Sequence, residues 1–428
     1  MVEEKPKAID LFAGAGGLSK GISEAGFEVI YALDTNEACK ETYDRNHEAE
    51  MQVADIRKVE PSKLDIDKEE ITLVAGGPPC PTFSKVGKSK INSIENRNNR
   101  EDDRHLLYEE FLKFVQHFEP KAFIMENVKG MTSEESAAGK PVVDVIKSQM
   151  EDLGYTVDYY VLDAADYGVP QNRERLFFIG NRISDENPDP RERKTHTKPN
   201  SSGESDIKFR HRETTDPNQT TIPGLSESTE SSFPNFRKNQ DRKPWNTVAD
   251  AITDLPPLSP EGDCPPKKVS RYTVPAISKY QVWARNFSED QDRDEMVLYN
   301  HECRGHNLYD LSLYKLLGEG VGYKIGQLPE EIQPYREDIF NDKIKKQHPR
   351  KPASTVVAHL AKDGHMFVHP TEARSISPRE AARLQSFKDD FVFPGSRTNT
   401  FKQIGNAVPP LLGQAVATSV KEFVEKES

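Results

Sequence analysis

Short apolar runs alternate with longer amphipathic stretches between residues 7 and 180, and this alternation constrains the fold more than any other feature of the chain. We predict that the apolar runs are buried strands: Ala8–Ala13, Val29–Leu33, Ile71–Ala75, Ala122–Met125 and Leu176–Ile179. One amphipathic helix is indicated where apolar residues recur at helical spacing from Leu107 to Phe118. Because strands that alternate with helices form parallel sheets covered on both faces, the segment predicts a doubly wound α/β domain.

The composition of the sequence changes near Ser184, where we predict that a second domain begins. Residues 184–243 are rich in Ser, Asn, Pro, Thr and charge, which is typical of loops, and periodicity stays weak to about residue 370. Order returns with a capping box at Ser377-Pro-Arg-Glu380 and a closing helix predicted over Leu411–Val424. We therefore predict a discontinuous first domain, residues 1–183 and 371–428, and a smaller inserted domain, residues 184–370.

Composition excludes several classes of protein. No apolar run approaches the roughly 20 residues that cross a bilayer, and the first residues lack the apolar core of a signal peptide. The cysteines at 39, 80, 264 and 303 form no C-x-x-C pair, which argues against a zinc site or a disulfide framework. We expect a cytoplasmic protein with no membrane contact and no metal. The net charge of −12 is unfavourable for DNA binding, although basic residues can be segregated on one face.

A glycine-rich turn, Asp10-Leu-Phe-Ala-Gly-Ala-Gly-Gly17, follows the first predicted strand. Its glycines let the backbone approach a ligand, and the N-terminus of the next helix favours polar contacts there. Asp34 ends the second strand, where doubly wound folds place an acid on a ribose, and Asp55 follows a third short strand, within reach of an adenine amino group. The spacing suits a nucleoside-bearing cofactor, and the lack of a GKS/T motif argues against a P-loop. A purely structural turn is the alternative.

A second motif, Gly76-Gly-Pro-Pro-Cys-Pro-Thr-Phe-Ser84, stands at the carboxyl end of a buried strand, the edge where open α/β sheets bind ligands. Two prolines restrain the backbone before Cys80, and the polar, basic residues 85–104 are typical of a mobile lid. We interpret Cys80 as a thiol presented for chemistry. The alternative is a buried and inert cysteine, which is common for this residue type.

Two further motifs contribute acidic and basic groups. Glu126-Asn-Val128 ends another strand, where a carboxylic acid could protonate a base nitrogen. In Gln171-Asn-Arg-Glu-Arg175, the residues Arg173 and Arg175 alternate onto one face of a strand start. They could hold a phosphate, a base carbonyl or the carboxylate of Glu126. Taken alone, the first motif could be an ordinary strand end and the second a surface salt bridge.

The four motifs, in this order, resemble those of the DNA cytosine-5 methyltransferase family, in particular its stand-alone prokaryotic type. The resemblance covers about Lys7–Arg182 and resumes over about Lys351–Val420, where it includes Arg374–Phe387 and Gln403-Ile-Gly-Asn-Ala-Val-Pro-Pro410. It implies a Rossmann-like domain that depends on S-adenosylmethionine (AdoMet), with an inserted target recognition domain over residues 184–370.

The resemblance implies Cys80, Glu126, Arg173 and Arg175 as catalytic residues. The thiolate of Cys80 would attack C6 of a cytosine turned out of the DNA helix, and the acid of Glu126 would contact N3 and help to protonate it. Carbon 5 would then take the methyl group, and loss of its proton with β-elimination would release the cysteine. Arg175 would contact the cytosine O2 and help to hold Glu126. Flipping is needed because C6 is inaccessible within the base stack.

The resemblance also implies AdoMet as the cofactor and double-stranded DNA as the partner. The implied cofactor-binding residues are Phe12, Gly14, Gly17, Asp34, Thr35, Asp55, Ile56, Asn406 and Val408. The predicted DNA-contacting residues are Ser84, Arg104, Lys345, Lys346 and Arg350. The last three belong to the basic run Lys343–Lys351, for which a solvated loop is the alternative.

Several functions stay open at the level of sequence. A tRNA cytosine-5 methyltransferase of the same family would carry Cys-Phe-Thr in a compact recognition region, which this chain lacks. A non-catalytic relative would have lost one of Cys80, Glu126 or Arg175, and an unrelated small-molecule methyltransferase would share only the glycine-rich turn. We expect a monomer that protects DNA from a cognate restriction endonuclease, although an orphan or phage-borne enzyme would have the same motifs.

Overall fold

A computed structural model of the chain describes residues 4–79, 107–135, 139–199, 241–259, 269–286, 297–317, 344–362 and 364–427. The chain divides into two compact units. Unit 1 consists of Met1–Ala164, Arg173–Lys194 and Ala407–Ser428, and unit 2 consists of Ala165–Asn172 and Thr195–Asn406. We predicted that residues 371–428 share one domain, whereas here 371–406 belong to unit 2 and only the remainder belongs to unit 1.

Unit 1 is built on a seven-stranded sheet with the order β3-β2-β1-β4-β5-β7-β6. The strands are β1 (Lys7–Leu11), β2 (Glu28–Asp34), β3 (Met51–Val53), β4 (Ile71–Gly76), β5 (Ala122–Val128), β6 (Thr156–Asp163) and β7 (Glu174–Asn181). Strands β1 to β5 are parallel, and the order reverses between β1 and β4. Such a reversal opens a crevice at the carboxyl ends of the strands, where open α/β sheets bind ligands. The predicted fold class is confirmed.

The helices of unit 1 are α1 (Gly17–Glu24), α2 (Glu37–Asn46), α3 (Leu107–Phe118), α4 (Val142–Glu151) and, after unit 2, α10 (Pro410–Glu427). The helix predicted over Leu107–Phe118 is confirmed. Its residues Phe111, Phe114, Val115 and Phe118 are buried in the same hydrophobic core as residues of the sheet. The closing helix is confirmed as α10. It packs closely on α1, since a side chain added at Gly21 would lie 2.5 Å from the backbone nitrogen of Gln414.

Strand β7 departs from the predicted all-parallel sheet, because it runs antiparallel to both β5 and β6. Only residues 164–173 connect β6 to β7, and a connection this short lacks the crossover helix that parallel strands require. The sequence analysis did not identify β6. As an edge strand it leaves Tyr159 and Val161 exposed, so its sequence lacks the continuous apolar run of a buried strand.

Unit 2 consists of short elements. They are β8 (His196–Thr197) paired with β9 (Lys243–Pro244), β10 (Val269–Arg271) paired with β11 (Val297–Tyr299), and the helices α5 (Val248–Ile252), α6 (Lys279–Arg285), α7 (Leu308–Leu316), α8 (Pro378–Leu384) and α9 (Arg397–Asn406). The capping box predicted at the start of α8 is confirmed, with Ser377 and Glu380 each bonded to the other's backbone N–H.

Buried ion pairs surround α8 and hold unit 2 together. We call this group the α8 cluster: Asp254, Arg374, Glu380, Arg383 and Asp389. Arg374 donates to both oxygens of Glu380 at 2.7 and 2.8 Å, and Arg383 bonds to Asp389 at 2.6 Å and also to Asp254. Every side chain in the cluster is at most 5% exposed. The cluster therefore fixes α8 through fully paired charges.

Within the described ranges, no helix combines the length and apolarity needed to cross a bilayer.

Candidate active site

The glycine-rich turn after β1 has the conformation of a ligand cradle. Phe12, Gly14 and Gly16 all have positive φ, at 60°, 55° and 85°, so the chain reverses sharply before α1. A side chain added at Gly14 would meet no atom within 4 Å, which leaves open space over the backbone. Gly14 donates its N–H to the Oδ2 of Asp34 at 2.8 Å. The turn and the acid at the end of β2 therefore lie next to each other.

A buried polar chain that the sequence analysis missed lies below this turn. Asp10 accepts a hydrogen bond from the hydroxyl of Ser19, which in turn accepts one from Tyr43 at 2.9 Å. Burial raises the pKa of Asp10 to about 7, and the nearby charge of Asp34 acts in the same direction. An aspartate before a glycine-rich turn gives no sign in the sequence that it is buried.

The remaining residues predicted for the cofactor end the neighbouring strands. Thr35 is exposed beside Asp34, whose Oδ1 also accepts the N–H of Asn36 at 2.8 Å. Asp55 follows β3, caps a short turn and pairs with Arg57 at 2.6 Å, and this bond lowers the pKa of Asp55. Ile56 is buried beside it. The carboxylate lone pairs that remain are acceptors for donors of a nucleoside, so the residues fit such a ligand.

The segment that leads to Cys80 is held against the end of β5. Gly77 follows β4, and a side chain added there would lie 3.0 Å from the Oε2 of Glu126. Asn127 donates its side-chain N–H to the carbonyl of Pro78 at 3.1 Å. Cys80, like the predicted DNA contacts Ser84 and Arg104, lies outside the described residues, so the description ends one residue before the thiol.

Glu126 and Arg175 form an ion pair at the carboxyl end of the sheet, which is the pairing that the family resemblance implies. The Nε of Arg175 lies 2.9 Å from the Oε1 of Glu126. Burial raises the pKa of Glu126, although both Arg175 and Arg173 act to lower it. Burial likewise lowers the pKa of Arg175. The pair therefore places a carboxyl group with enhanced proton affinity beside the backbone that precedes Cys80.

Arg173 is buried next to this pair and has a different partner. It is 1% exposed, and its Nη2 donates to the carbonyl oxygen of Ala407 at 3.0 Å. Burial lowers its pKa well below the usual value, and the positive charge of Arg175 contributes to the shift. Val408, one residue beyond Ala407, is buried in unit 1, whereas Asn406 is exposed at the end of α9 in unit 2.

The predicted basic patch is exposed only in part. Arg350 is exposed and Lys345 is half-buried, but Lys346 is 2% exposed. Its backbone pairs with Val368, which directs the side chain into unit 2. No group of three or more His, Cys, Asp or Glu residues in the described part of the chain is arranged to hold a metal ion.

Comparison with known proteins identifies the family. The family model of C-5 cytosine-specific DNA methylases matches residues 6–422. The type II methyltransferase M.AgeI of Thalassovita gelatinovora is 33% identical, with 97% of this chain and 99% of that protein covered. The putative type II methyltransferase M.OihORF3336P of Oceanobacillus iheyensis is 31% identical over 98% of this chain and 96% of that protein.

The fold has counterparts among solved structures. A putative DNA modification methyltransferase encoded within a prophage, from E. coli, superimposes with a TM-score of 0.67 at 21% identity, over 98% of this chain and 99% of that one. The Dnmt2 methyltransferase of S. pombe gives a TM-score of 0.52 at 13% identity, over 98% and 99% of the two chains. The chain therefore belongs to the C-5 cytosine-specific DNA methylase family and is a DNA (cytosine-5-)-methyltransferase.

Proposed function

We propose that this enzyme transfers the methyl group of AdoMet to carbon 5 of a cytosine flipped out of duplex DNA, through a covalent bond between Cys80 and C6. The Glu126–Arg175 pair, fixed beside the backbone that leads to Cys80, is the observation that carries the proposal. It joins an acid, a hydrogen-bond donor and the approach to a thiol at one edge of the sheet, which is the set of groups that addition to a pyrimidine requires.

Glu126 provides the proton for the base. Because burial raises its pKa, the carboxyl group retains a proton more readily than an exposed glutamate and can share that proton with N3 of cytosine. Arg175 orients Glu126 through its Nε and has further N–H groups that can donate to the base carbonyl O2. A base held at N3 and O2 presents its C6 edge to the cysteine.

Cys80 is the proposed nucleophile. Its thiolate forms a bond to C6 while N3 gains a proton, and the electron pair displaced from the C5–C6 double bond makes C5 nucleophilic. After C5 has gained the methyl group, N3 returns its proton to Glu126, a base removes the C5 proton and the Cys80–C6 bond breaks, so that the aromatic ring and the free thiolate are restored. The basic surroundings of Arg175 favour the thiolate.

AdoMet, when bound, supplies an electrophilic methyl group. The open space over the backbone of Gly14 would accommodate its amino-acid portion, and we assign Phe12, Gly17, Thr35, Ile56 and Val408 to the same site. We assign Asp34 as the acceptor for the ribose hydroxyls and Asp55 as the acceptor for the adenine amino group. Both carboxylates already accept backbone N–H groups, which fixes their orientation before the ligand arrives.

Unit 2 overlaps most of the region that we assign to target recognition, residues 184–370. We propose phosphate contacts for Arg350 and Lys345, together with Ser84 and Arg104. We assign no phosphate contact to Lys346, because its side chain is buried. The similar type II methyltransferases support a role in a restriction-modification system, in which a cognate endonuclease would be a functional partner.

Methyl transfer from labelled AdoMet to unmethylated duplex DNA and, in parallel, to tRNA tests the proposal. Wild type should label DNA as 5-methylcytosine, Cys80→Ala should not, and Glu126→Gln should do so at least about a hundredfold more slowly. Cys303→Ala, which removes a buried thiol of unit 2, and Glu174→Gln, which removes an exposed acid paired with Lys129, are the matched controls and should stay active. Label in tRNA alone would overturn the substrate, and an active Cys80→Ala variant would overturn the covalent step.

A further inference from the structure

Arg173 either occupies or is hydrogen-bonded to the unit 1 residue at three of the four points where the chain passes from one unit to the other. The chain crosses at Ala164/Ala165, Asn172/Arg173, Lys194/Thr195 and Asn406/Ala407. Arg173 is itself the first residue of unit 1 after the second crossing. Its carbonyl accepts the N–H of Ala164 at 3.0 Å, and its guanidinium donates to the carbonyl of Ala407 at 3.0 Å. One residue therefore ties together three ends of unit 1.

Burial of the Arg173 guanidinium is energetically costly, which indicates that the residue has a specific role. A buried guanidinium must give up its hydration, and the neighbouring acid Glu126 is already bonded to Arg175. The backbone of Arg173 is held as well, since its N–H donates to the Oδ1 of Asp163 at 3.0 Å. A charge-assisted bond to a carbonyl is stronger and more directional than a neutral one, which suits a group that fixes a backbone position.

We infer that Arg173 is a positioning residue that sets Ala407, and through it Val408, for the methyl donor, and that it does not touch the cytosine. The inference rests on the proposed function, because it assigns Val408 to the AdoMet site. It separates the two arginines of the motif: Arg175 acts on the base through Glu126, whereas Arg173 acts on the cofactor site through the chain at residue 407. AdoMet affinity then depends on Arg173 even when no DNA is present.

The full-length enzyme, its Arg173→Gln and Arg173→Lys variants and an Arg193→Gln control test this inference. Arg193 is a second buried arginine of unit 1, 2% exposed, and it bonds to Glu422 of the same helix α10 that follows Ala407. Three quantities are measured for each protein: the melting temperature, the dissociation constant of AdoMet without DNA, and tritium release from [5-³H]cytosine in unmethylated DNA without AdoMet. The last reports the addition at C6 alone.

We expect Arg173→Gln to weaken AdoMet binding about tenfold, the factor that corresponds to loss of one charge-assisted hydrogen bond. Tritium release per folded enzyme should stay within about threefold of wild type, since the Glu126–Arg175 pair remains. Arg173→Lys, which keeps the charge and one donor, should recover part of the affinity. Arg193→Gln should lower the melting temperature and leave AdoMet binding unchanged.

Loss of tritium release with unchanged AdoMet affinity in Arg173→Gln would overturn the inference, because Arg173 would then act on the base. Equal weakening of AdoMet binding in Arg173→Gln and Arg193→Gln would also overturn it, since any loosening of α10 would then suffice. A wild-type enzyme that neither binds AdoMet nor methylates DNA would instead refute the proposed function, an outcome visible before any variant is compared.

Discussion

The two units both bury arginines beside carboxylates, with opposite effects on their charge. In unit 1, Glu126 lies near two arginines; burial raises its pKa and lowers that of both Arg173 and Arg175. In the α8 cluster of unit 2, burial alone would raise the pKa of Glu380, yet Arg374 lowers it, and the pKa of Arg374 is raised. Glu126 and its two arginines are thus driven towards neutrality, whereas Glu380 and Arg374 are driven towards full charge.

Geometry and the number of partners explain the difference. Each acid of the α8 cluster accepts two or more hydrogen bonds from guanidinium groups, which compensate for lost hydration. Glu126 is bonded to only one of its two neighbouring arginines, Arg175. The effect of burial on the pKa of Glu126 therefore exceeds the opposite effect of the two positive charges. Groups held away from their preferred protonation state are typical of catalytic sites, and fully compensated pairs are typical of a scaffold. The following predictions test that contrast.

Glu126→Gln should lower kcat by about 10²–10⁴, the range for loss of a general acid, without lowering stability. The folded-state pKa of Glu126 is raised, so the fold disfavours its ionised form at every pH above the unfolded value of about 4.3. Removal of that charge is neutral or stabilising at pH 7. Urea unfolding and single-turnover methyl transfer would check both parts. Glu380→Gln is the opposite control and should lower stability, and equal losses of stability in the two variants would remove the contrast.

Arg383→Met should destabilise unit 2 by about 3–5 kcal/mol, because it leaves Asp254 and Asp389 as buried charges without their principal partner. Urea unfolding at pH 7 measures the loss. Arg191→Met, which breaks an exposed pair with Asp189, is the control and should change stability by less than about 1 kcal/mol. A change below 1 kcal/mol in Arg383→Met would show that the α8 cluster is no better compensated than the site of unit 1.

His369 should make unit 2 less stable in acid. Its Nδ1 accepts the N–H of Glu372 at 3.0 Å, and burial lowers its pKa to about 3. Because this value lies below the unfolded pKa of about 6.5, the unfolded chain binds a proton that the folded chain does not, and stability falls by about 2 kcal/mol between pH 6.5 and pH 5. His369→Asn keeps an acceptor at this position and should lack that loss. Exposed His359→Asn is the control and should retain the wild-type slope.

Arg350→Ala should have the smallest effect on the fold, within about 0.5 kcal/mol of wild-type stability, because the side chain is exposed. If Arg350 contacts a phosphate, DNA binding should weaken and the slope of log affinity against log salt should fall by about 1. Titration of duplex DNA at several salt concentrations measures the slope. Exposed Lys63→Ala in unit 1 is the control, and an unchanged slope in Arg350→Ala would exclude that contact.

Local patterns were enough to predict most of the regular structure. The helical spacing that predicted α3 and the capping box of α8 depend on residues at most four positions apart, and both are confirmed. The hydrogen bond between Gly14 and Asp34 was not predicted, although both residues were expected to line one cofactor site at the ends of adjacent parallel strands. Strand β6 and the reversed direction of β7 did not follow, since strand pairing is decided by distant segments that no local pattern specifies.

The arginines show why the rest of the site could not be predicted. The alternation of residues in Gln171–Arg175 treats Arg173 and Arg175 alike, and the family resemblance assigns only Arg175 to Glu126; neither indicates that Arg173 bonds to the carbonyl of Ala407. Every residue has a backbone carbonyl, so the sequence does not indicate which carbonyl accepts the hydrogen bond of Arg173. The basic run around Lys346 looked uniformly solvated for the same reason, because the pairing with Val368 that buries it is a contact at long range.

The close packing of α10 on α1 has a consequence for how the protein is made. Ribosomes synthesise α1 before the main segment of unit 2 and α10 after it, so the partner of Gly21 emerges long after Gly21 itself. The usual sequence, in which the N-terminal domain folds first, is therefore unavailable to unit 1. Unit 2, whose main segment ends at Asn406, is fully synthesised before the sheet of unit 1 receives its final helix. A nascent chain stalled within unit 2 would leave the face of α1 that packs on α10 without its partner.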